Sequence, residues 1–211
     1  MTDRFLASWR RRARAALALA GSLAAAGALA AAPGDVRDTS FTLPDGERVL
    51  ELAIDVPASA RDAWNAFATT DGFRAWAAPV TRVDMRVGGE VETSYDPAAA
   101  IGAPTNIRNA ILALVPERMF LMRNVQAPPK TPFDAPTFQK LVTVIVFTPL
   151  TPTTTRVTVQ NPGFRDGPAY DGVYKFFQAG NAWTLMQLKE RFETGPVDWA
   201  KKLAPAAAAP K

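Results

Sequence analysis

YDGVYKFFQAGNAWTLMQLKERFETGP, residues 170–196, is the stretch that decides the fold. Tyr170, Tyr174, Phe177, Leu185, Leu188 and Phe192 recur at offsets that fit 3.6 residues per turn, and Asn181 and Thr184 fall on the same stripe. The pattern predicts one amphipathic helix of roughly six turns, closed by Gly195-Pro196. A helix of that length needs a broad apolar surface to lie on, and the chain upstream reads as strands that can supply it.

Working outward, Glu47–Val56 (ERVLELAIDV) sets Leu50, Leu52, Ile54 and Val56 on one face and Val49, Glu51, Ala53 and Asp55 on the other, the period of a half-buried strand. Pro57-Ala58-Ser59 stops it. Ser59 to Asp62 has capping-box spacing, with Asp for the usual Glu, and Trp64, Phe67 and Ala68 follow at i, i+3 and i+4. Thr70-Asp71 opens a second short helix that presents Phe73 and Trp76 and ends at Pro79. Thr81–Val87 and Glu90–Tyr95 flank Gly88-Gly89, the signal of a hairpin with a two-residue loop, and Val83, Met85 and Val87 share one face. Further strands are expected at Asn106–Val115, Arg118–Val125, Lys140–Thr148 and Thr155–Gln160. The third of these, KLVTVIVFT, is apolar almost throughout, which places it centrally in a sheet. Residues 126–137 hold Pro128, Pro129, Pro132 and Pro136 around Phe133, a stiff loop that either covers something or merely connects. Asn161–Pro168 reads as turn.

The fold class is therefore α+β: a curved antiparallel sheet wrapped around one long C-terminal helix, with two short helices after the first strand. A curled sheet and a helix of this kind leave a cleft between the layers. The domain spans residues 47–194, preceded by a flexible segment at 33–46 and followed by a disordered Ala- and Pro-rich tail at 195–211.

Composition narrows the chemistry. The 211 residues include no Cys and no His. That excludes imidazole-based triads, cysteine nucleophiles, thiolate or imidazole metal sites and disulfides, and leaves any acid–base chemistry to Asp, Glu, Lys, Tyr or water; no catalytic residue, cofactor or metal is assigned. The formal charge of +4 belongs to the first 14 residues, where Arg4, Arg10, Arg11, Arg12 and Arg14 oppose Asp3. The rest of the chain holds 19 basic and 19 acidic residues, with no cluster that would make a nucleic-acid face.

Residues 1–32 have the form of a secretory signal peptide: Arg10–Arg14, an apolar Ala/Leu/Gly stretch over Ala15–Ala30, and the small-x-small pattern Ala28-Leu29-Ala30. A retained anchor is the alternative, but the stretch is short for a span of about 20 residues. Cleavage near Ala30 or Ala32 leaves a periplasmic or secreted protein with no stable membrane insertion. The paired arginines leave the twin-arginine route open beside the general one.

Three segments carry a resemblance: Trp64–Trp76 (WNAFATTDGFRAW), Val87–Pro97 (VGGEVETSYDP) and Gly180–Phe192 (GNAWTLMQLKERF). With the strands between them, over about residues 47–193, they resemble the START-like, or SRPBCC, superfamily of helix-grip proteins, in the branch homologous to the heat-shock-protein ATPase activator. The resemblance implies an apolar cavity between sheet and long helix, and a small or medium hydrophobic molecule as partner. Some superfamily members are cyclases or hydratases, and the chaperone-linked members act as protein–protein adaptors, so both remain alternatives. The chaperone activators are cytosolic, whereas this chain carries an export-type leader. Oligomeric state is left open.

Within that frame the cavity candidates are Phe73, Trp76, Tyr95, Asn109, Phe120, Met122, Phe147, Phe177, Asn181 and Leu185. Phe120, Met122, Phe147, Phe177 and Leu185 serve as core or cavity wall. Phe73 and Trp76 line the mouth or fill the core. Tyr95 and Asn109 are polar-capable strand residues that count only if they face inward. Asn181, on the buried stripe of the helix, either orients a polar ligand group or bonds a neighbouring strand. Glu90 and Glu92, near Arg82, Asp84 and Arg86, read as cross-strand charge pairing, with acid–base work as the sharper alternative.

Overall fold

The computed structural model describes residues 35–127 and 135–203. The leader expected at 1–32 lies outside the described residues, as do Pro128, Pro129, Pro132 and Phe133 of the proline loop and the tail from residue 204. In chain order the elements are β1 (Arg37–Asp38), β2 (Phe41–Thr42), β3 (Arg48–Val56), α1 (Ala60–Ala68), α2 (Thr70–Arg74), β4 (Val80–Val83), β5 (Glu90–Ser94), β6 (Ile107–Val115) and β7 (Met119–Gln126). They continue with α3 (Ala135–Lys140), β8 (Val142–Thr151), β9 (Thr154–Phe164), α4 (Pro168–Thr194) and α5 (Trp199–Leu203). The strands form one antiparallel sheet in the order β1-β3-β9-β8-β7-β6-β5-β4, with β2 also paired to β3. The apolar β8 sits between β7 and β9, as its composition requires.

The helices start and stop where local chemistry dictates. The Ser59 hydroxyl oxygen accepts from the Asp62 backbone N–H at 3.1 Å and caps α1, while the same hydroxyl donates to the Asp62 carboxylate at 2.6 Å. Thr69 caps α2 by accepting from the Gly72 N–H at 3.0 Å. α4 opens with Pro168 in its first turn and closes at Gly195, whose φ of 102° lets its N–H reach the Arg191 carbonyl.

One sheet face is apolar and meets the helices. By register, Leu52, Val159, Ile145 and Phe120 form one row across β3, β9, β8 and β7, and Ile54, Val157 and Phe147 form the next. All seven are at most 5% exposed. Burial of each large side chain contributes about 1.5–3 kcal/mol relative to exposure. α4 packs mainly on β3 and β9, and α1 on β8 and β9.

Three segments differ from expectation. The 81–95 hairpin exists, but its ladder ends at Val83↔Val91. Asp84–Gly89 is a longer loop in which Gly88 (φ 78°) donates to Ile111 O, while Ile111 N donates to Gly89 O, so the loop pairs onward to β6 and Val87 is exposed. Residues 36–46, read as flexible, instead pair along the edge of β3 through β1 and β2, and Gln178 of α4 donates to Asp38 at 2.7 Å. Residues 195–203, read as the start of a disordered tail, fold back: Val197 N donates to Ala75 O at 2.8 Å and Trp199 Nε1 to Arg74 O at 2.6 Å. Two buried-capable groups, an indole and a β-branched side chain, were hidden in a sequence window dominated by Ala, Pro and Lys.

Candidate functional site

The inner face of the sheet divides into a filled half and an unfilled half. In the filled half, Trp64 and Phe67 of α1 meet the sheet aromatics edge-on. Trp64 lies 6.0 Å from Phe120 and 5.6 Å from Phe147, and Phe67 lies 5.3 Å from Phe147 and 4.9 Å from Trp76, between ring centroids. Trp76 is 1% exposed, and its Nε1 donates to Ala66 O at 2.8 Å. Phe73 sits at the rim of this cluster, against Phe67. Leu185 is 1% exposed among core side chains. Trp76, Phe120, Phe147 and Leu185 are thus core rather than cavity wall, because α1 supplies two large rings that occupy the space where a cavity was expected.

The other half follows from the pairing register. Val91, Asn109 and Asn124 are partners in one row, and Ile111, Met122 and Thr143 in the next, so Asn109 and Met122 share the inner face with the buried Val91 and Ile111. Thr143 accepts from Asn161 Nδ2 at 2.8 Å, which extends that row to β9. Tyr95 lies one residue beyond β5, two positions after the inward Thr93. Facing these are α4 side chains. Phe177 stacks on Phe138 of α3 at 5.6 Å, and Asn181 Nδ2 donates to Asn161 Oδ1 at 2.7 Å. Trp183, off the apolar stripe, meets Tyr95 edge-on at 6.4 Å. Asn109, Met122, Thr143, Phe177, Asn181 and Trp183 are all only partly buried, whereas Val91, Ile111 and Asn124, in the same rows, are nearly inaccessible. Surfaces that face one another yet stay partly accessible border a cleft. Asn109, Met122, Phe177 and Asn181, four of the ten sequence candidates, are among these partly accessible side chains, and a fifth, Tyr95, touches Trp183 at their margin.

The cleft walls are apolar groups interrupted by neutral amides and hydroxyls. The Asn124 amide donates to Gln126 O at 3.0 Å and Asn109 Oδ1 at 3.4 Å, while its buried Oδ1 has no partner. Asn161, fully buried, spends its amide protons on Val142 O and Thr143. Tyr95 is 43% exposed, yet burial around its hydroxyl pushes the phenol above its ordinary value. Among the inner-face strand residues described, the charged one is Arg48 of β3, which spends its charge on Asp171 at 2.8 Å and lies over the Tyr174 ring of α4. Asn124, Thr143 and Asn161 escaped the sequence reading because Asn161 fell in a segment rich in turn formers. Continuing the Thr155-Val157-Val159 alternation by one step would have placed it inward.

Charge is gathered on the opposite face of the sheet. Arg82, Glu92 and Arg108 are register partners across β4, β5 and β6. Glu92 is fully buried, accepting from Asn106 Nδ2 at 2.7 Å, Gly102 N at 2.5 Å and Arg82 at 2.8 Å. Burial pushes the Glu92 carboxyl up, but these donors and Arg108 outweigh it and hold it below the ordinary carboxylate range. Glu90 is bridged twice by Arg108. Both glutamates are structural pairs, not an acid–base dyad. A separate cleft of about 340 Å³ lies between α1, α2 and the end of α4, bordered by Asp62, Asn65, Thr69, Gly72 and Arg191. Among the described residues no group of three carboxylates, thiols or imidazoles is placed to hold a metal.

The geometry agrees with what comparison finds. The family model described as Activator of Hsp90 ATPase homolog 1-like protein matches residues 57–193, from the end of β3 through α4. The chain belongs to this family. Solved structures with this helix-grip fold include a Mesorhizobium loti protein, 18% identical with a TM-score of 0.52, covering 70% of this chain and 99% of that one. The Aha1 dimer of Colwellia psychrerythraea is 14% identical with a TM-score of 0.52, covering 70% and 97%. The di-domain ARO/CYC protein BexL is 15% identical with a TM-score of 0.52, covering 69% of this chain and 46% of that one. At these identities the likeness is one of fold. Comparison with curated proteins gives no match. In this member of the activator-homologue family, β1, β2, β3 and α5 lie outside the matched residues.

Proposed function

We propose that this protein is an exported member of the family that binds a small or medium-sized hydrophobic molecule between α4 and the β5–β8 half of the sheet, without covalent chemistry. The observation that carries the reading is the partial accessibility of Met122, Asn109 and Phe177 on inward faces, while the register partners Ile111, Val91 and Asn124 are closed. Apolar walls with a few fixed amides suit a ligand held by area and oriented by one or two hydrogen bonds. The unpartnered Asn124 Oδ1 supplies an acceptor for such a group. Export rests on the leader pattern of residues 1–32. Among the described residues no helix is long and apolar enough to cross a membrane. Native mass spectrometry of protein purified from periplasm, with thermal-shift screening of lipids and aromatics, tests the reading. A retained apolar adduct and a raised Tm are expected; an empty protein with no shift across the panel contradicts it.

A second reading, a cyclase-like enzyme, draws on the shared fold with the ARO/CYC protein and on Tyr95. Tyr95, just past β5, is an ionisable side chain against Trp183 of α4, and burial raises its pKa, so it stays a proton donor at neutral pH. Turnover of a polyketide-like substrate that disappears in Tyr95→Phe would establish it; a bound molecule recovered chemically unchanged would remove it.

A further inference from the structure

The segment that folds back after α4 brings a cation to the cleft. Lys202 Nζ lies 5.5 Å from the ring centre of Trp183 and 5.8 Å from that of Trp199, so two indoles hold it. Trp183 is the same side chain that meets Tyr95 at the edge of the cleft. Trp199 is pinned by its bond to Arg74 O, and Val197 by its bond to Ala75 O, which fixes α5 beside α4. Among the described residues Lys202 has no carboxylate within ion-pair distance; burial lowers its pKa, and Glu190 opposes that from farther away. A half-buried ammonium with no close ion pair is poised to take one. Val197, Trp199 and Lys202 lie outside residues 57–193, whereas Trp183, Tyr95 and their other partners lie within them.

We propose that the cleft takes a single-chain amphiphile with one anionic head, its apolar body against Met122 and Phe177 and its head at Lys202. The orientation follows from the electrostatics of the two ends. The deep end offers a buried amide oxygen, Asn124 Oδ1, which repels an anion, and the strand faces around it hold no charge. Lys202 borders the cleft at the Trp183–Tyr95 edge, through its contact with Trp183. A carboxylate there gains a charge-assisted hydrogen bond without giving up an existing ion pair.

This inference rests on the proposed binding function, and the test separates the two. The full protein and its Lys202→Gln and Lys202→Arg variants are titrated with decanoate, decanol and decyltrimethylammonium, followed by tryptophan fluorescence and calorimetry. Decanoate is expected to bind about tenfold or more tightly than decanol, and decyltrimethylammonium weakest. Lys202→Gln is expected to bring decanoate to the level of decanol while decanol is unchanged, and Lys202→Arg to keep the preference. Circular dichroism of each variant confirms the fold. Equal binding of decanoate and decanol by the parent protein, or a preference that survives Lys202→Gln, overturns the role of Lys202 and leaves the apolar cleft standing. Binding of none of the three overturns both. Co-sedimentation with phosphatidylglycerol vesicles in place of binding monomeric decanoate would assign Lys202 to a membrane surface and also overturn the proposal.

Discussion

Replacing Asn181 by Ala separates a structural amide from a ligand-binding one. Asn181 Nδ2 donates to Asn161 Oδ1 at 2.7 Å, the link between α4 and β9 at the wall of the cleft. Asn161 is fully buried, and its own amide protons already serve Val142 O and Thr143, so no rotation of that side chain supplies another donor. Truncation therefore orphans a buried acceptor, at a cost of about 1–3 kcal/mol. Asn181 is half-exposed, and water entering at its position restores part of that, so the lower half of the range applies, about 1–2 kcal/mol. For a domain of this size that lowers Tm by about 2–8 °C. Urea unfolding followed by circular dichroism reads the change as a lower midpoint at constant slope. Ligand affinity is expected to fall by no more than a few-fold. Unchanged stability with abolished binding would refute the reasoning and make Asn181 a ligand contact.

Other perturbations address the packing and the charges. Trp76→Phe removes the buried bond to Ala66 O and part of the ring contact with Phe67, and is expected to cost about 2–4 kcal/mol in denaturant melts; Glu92→Gln leaves Arg82 facing an amide in place of its buried carboxylate and is expected to cost about 2–4 kcal/mol, with faster hydrogen exchange at Gly102. Asp55, held by Arg156 against burial and helped by Arg37, and Glu92, held by its donors, both have lowered folded pKa values. Their contribution is complete above the unfolded carboxylate pKa of about 4 and disappears as pH falls through the lower folded values, so Tm should be level near neutrality and drop below about pH 4. Gly89→Ala would put a Cβ 2.2 Å from Asp84 O and is expected to loosen the loop between β4 and β5, read as a Tm several degrees lower.

The long helix was legible because its stripe runs uninterrupted from Tyr170 to Phe192, and β3 because Leu50 to Val56 alternate without a break. The short helices were legible from Ser59 and the aromatic spacing after it. The cleft was legible in part. Alternation alone could not orient Asn109, since the register shifts between Arg108 and Asn109 and again between Ile111 and Ala113, and each shift changes which residues share a face. Nor could periodicity show that Trp64 and Phe67 fill half the expected chamber, because it reports which face is apolar and not what meets it. Trp183 went unremarked because it sits off the apolar stripe, and Trp199 and Lys202 because a low-complexity context hid a short docked segment.

The central claim is an accessible apolar cleft beside Met122. Labelling the five methionine methyl groups with carbon-13 and titrating with decanoate tests it directly. The account predicts that the Met122 methyl shifts most and shows contacts to the alkyl chain. Alkyl contacts confined to methionines elsewhere, or a Met122 signal unmoved at saturation, would contradict it.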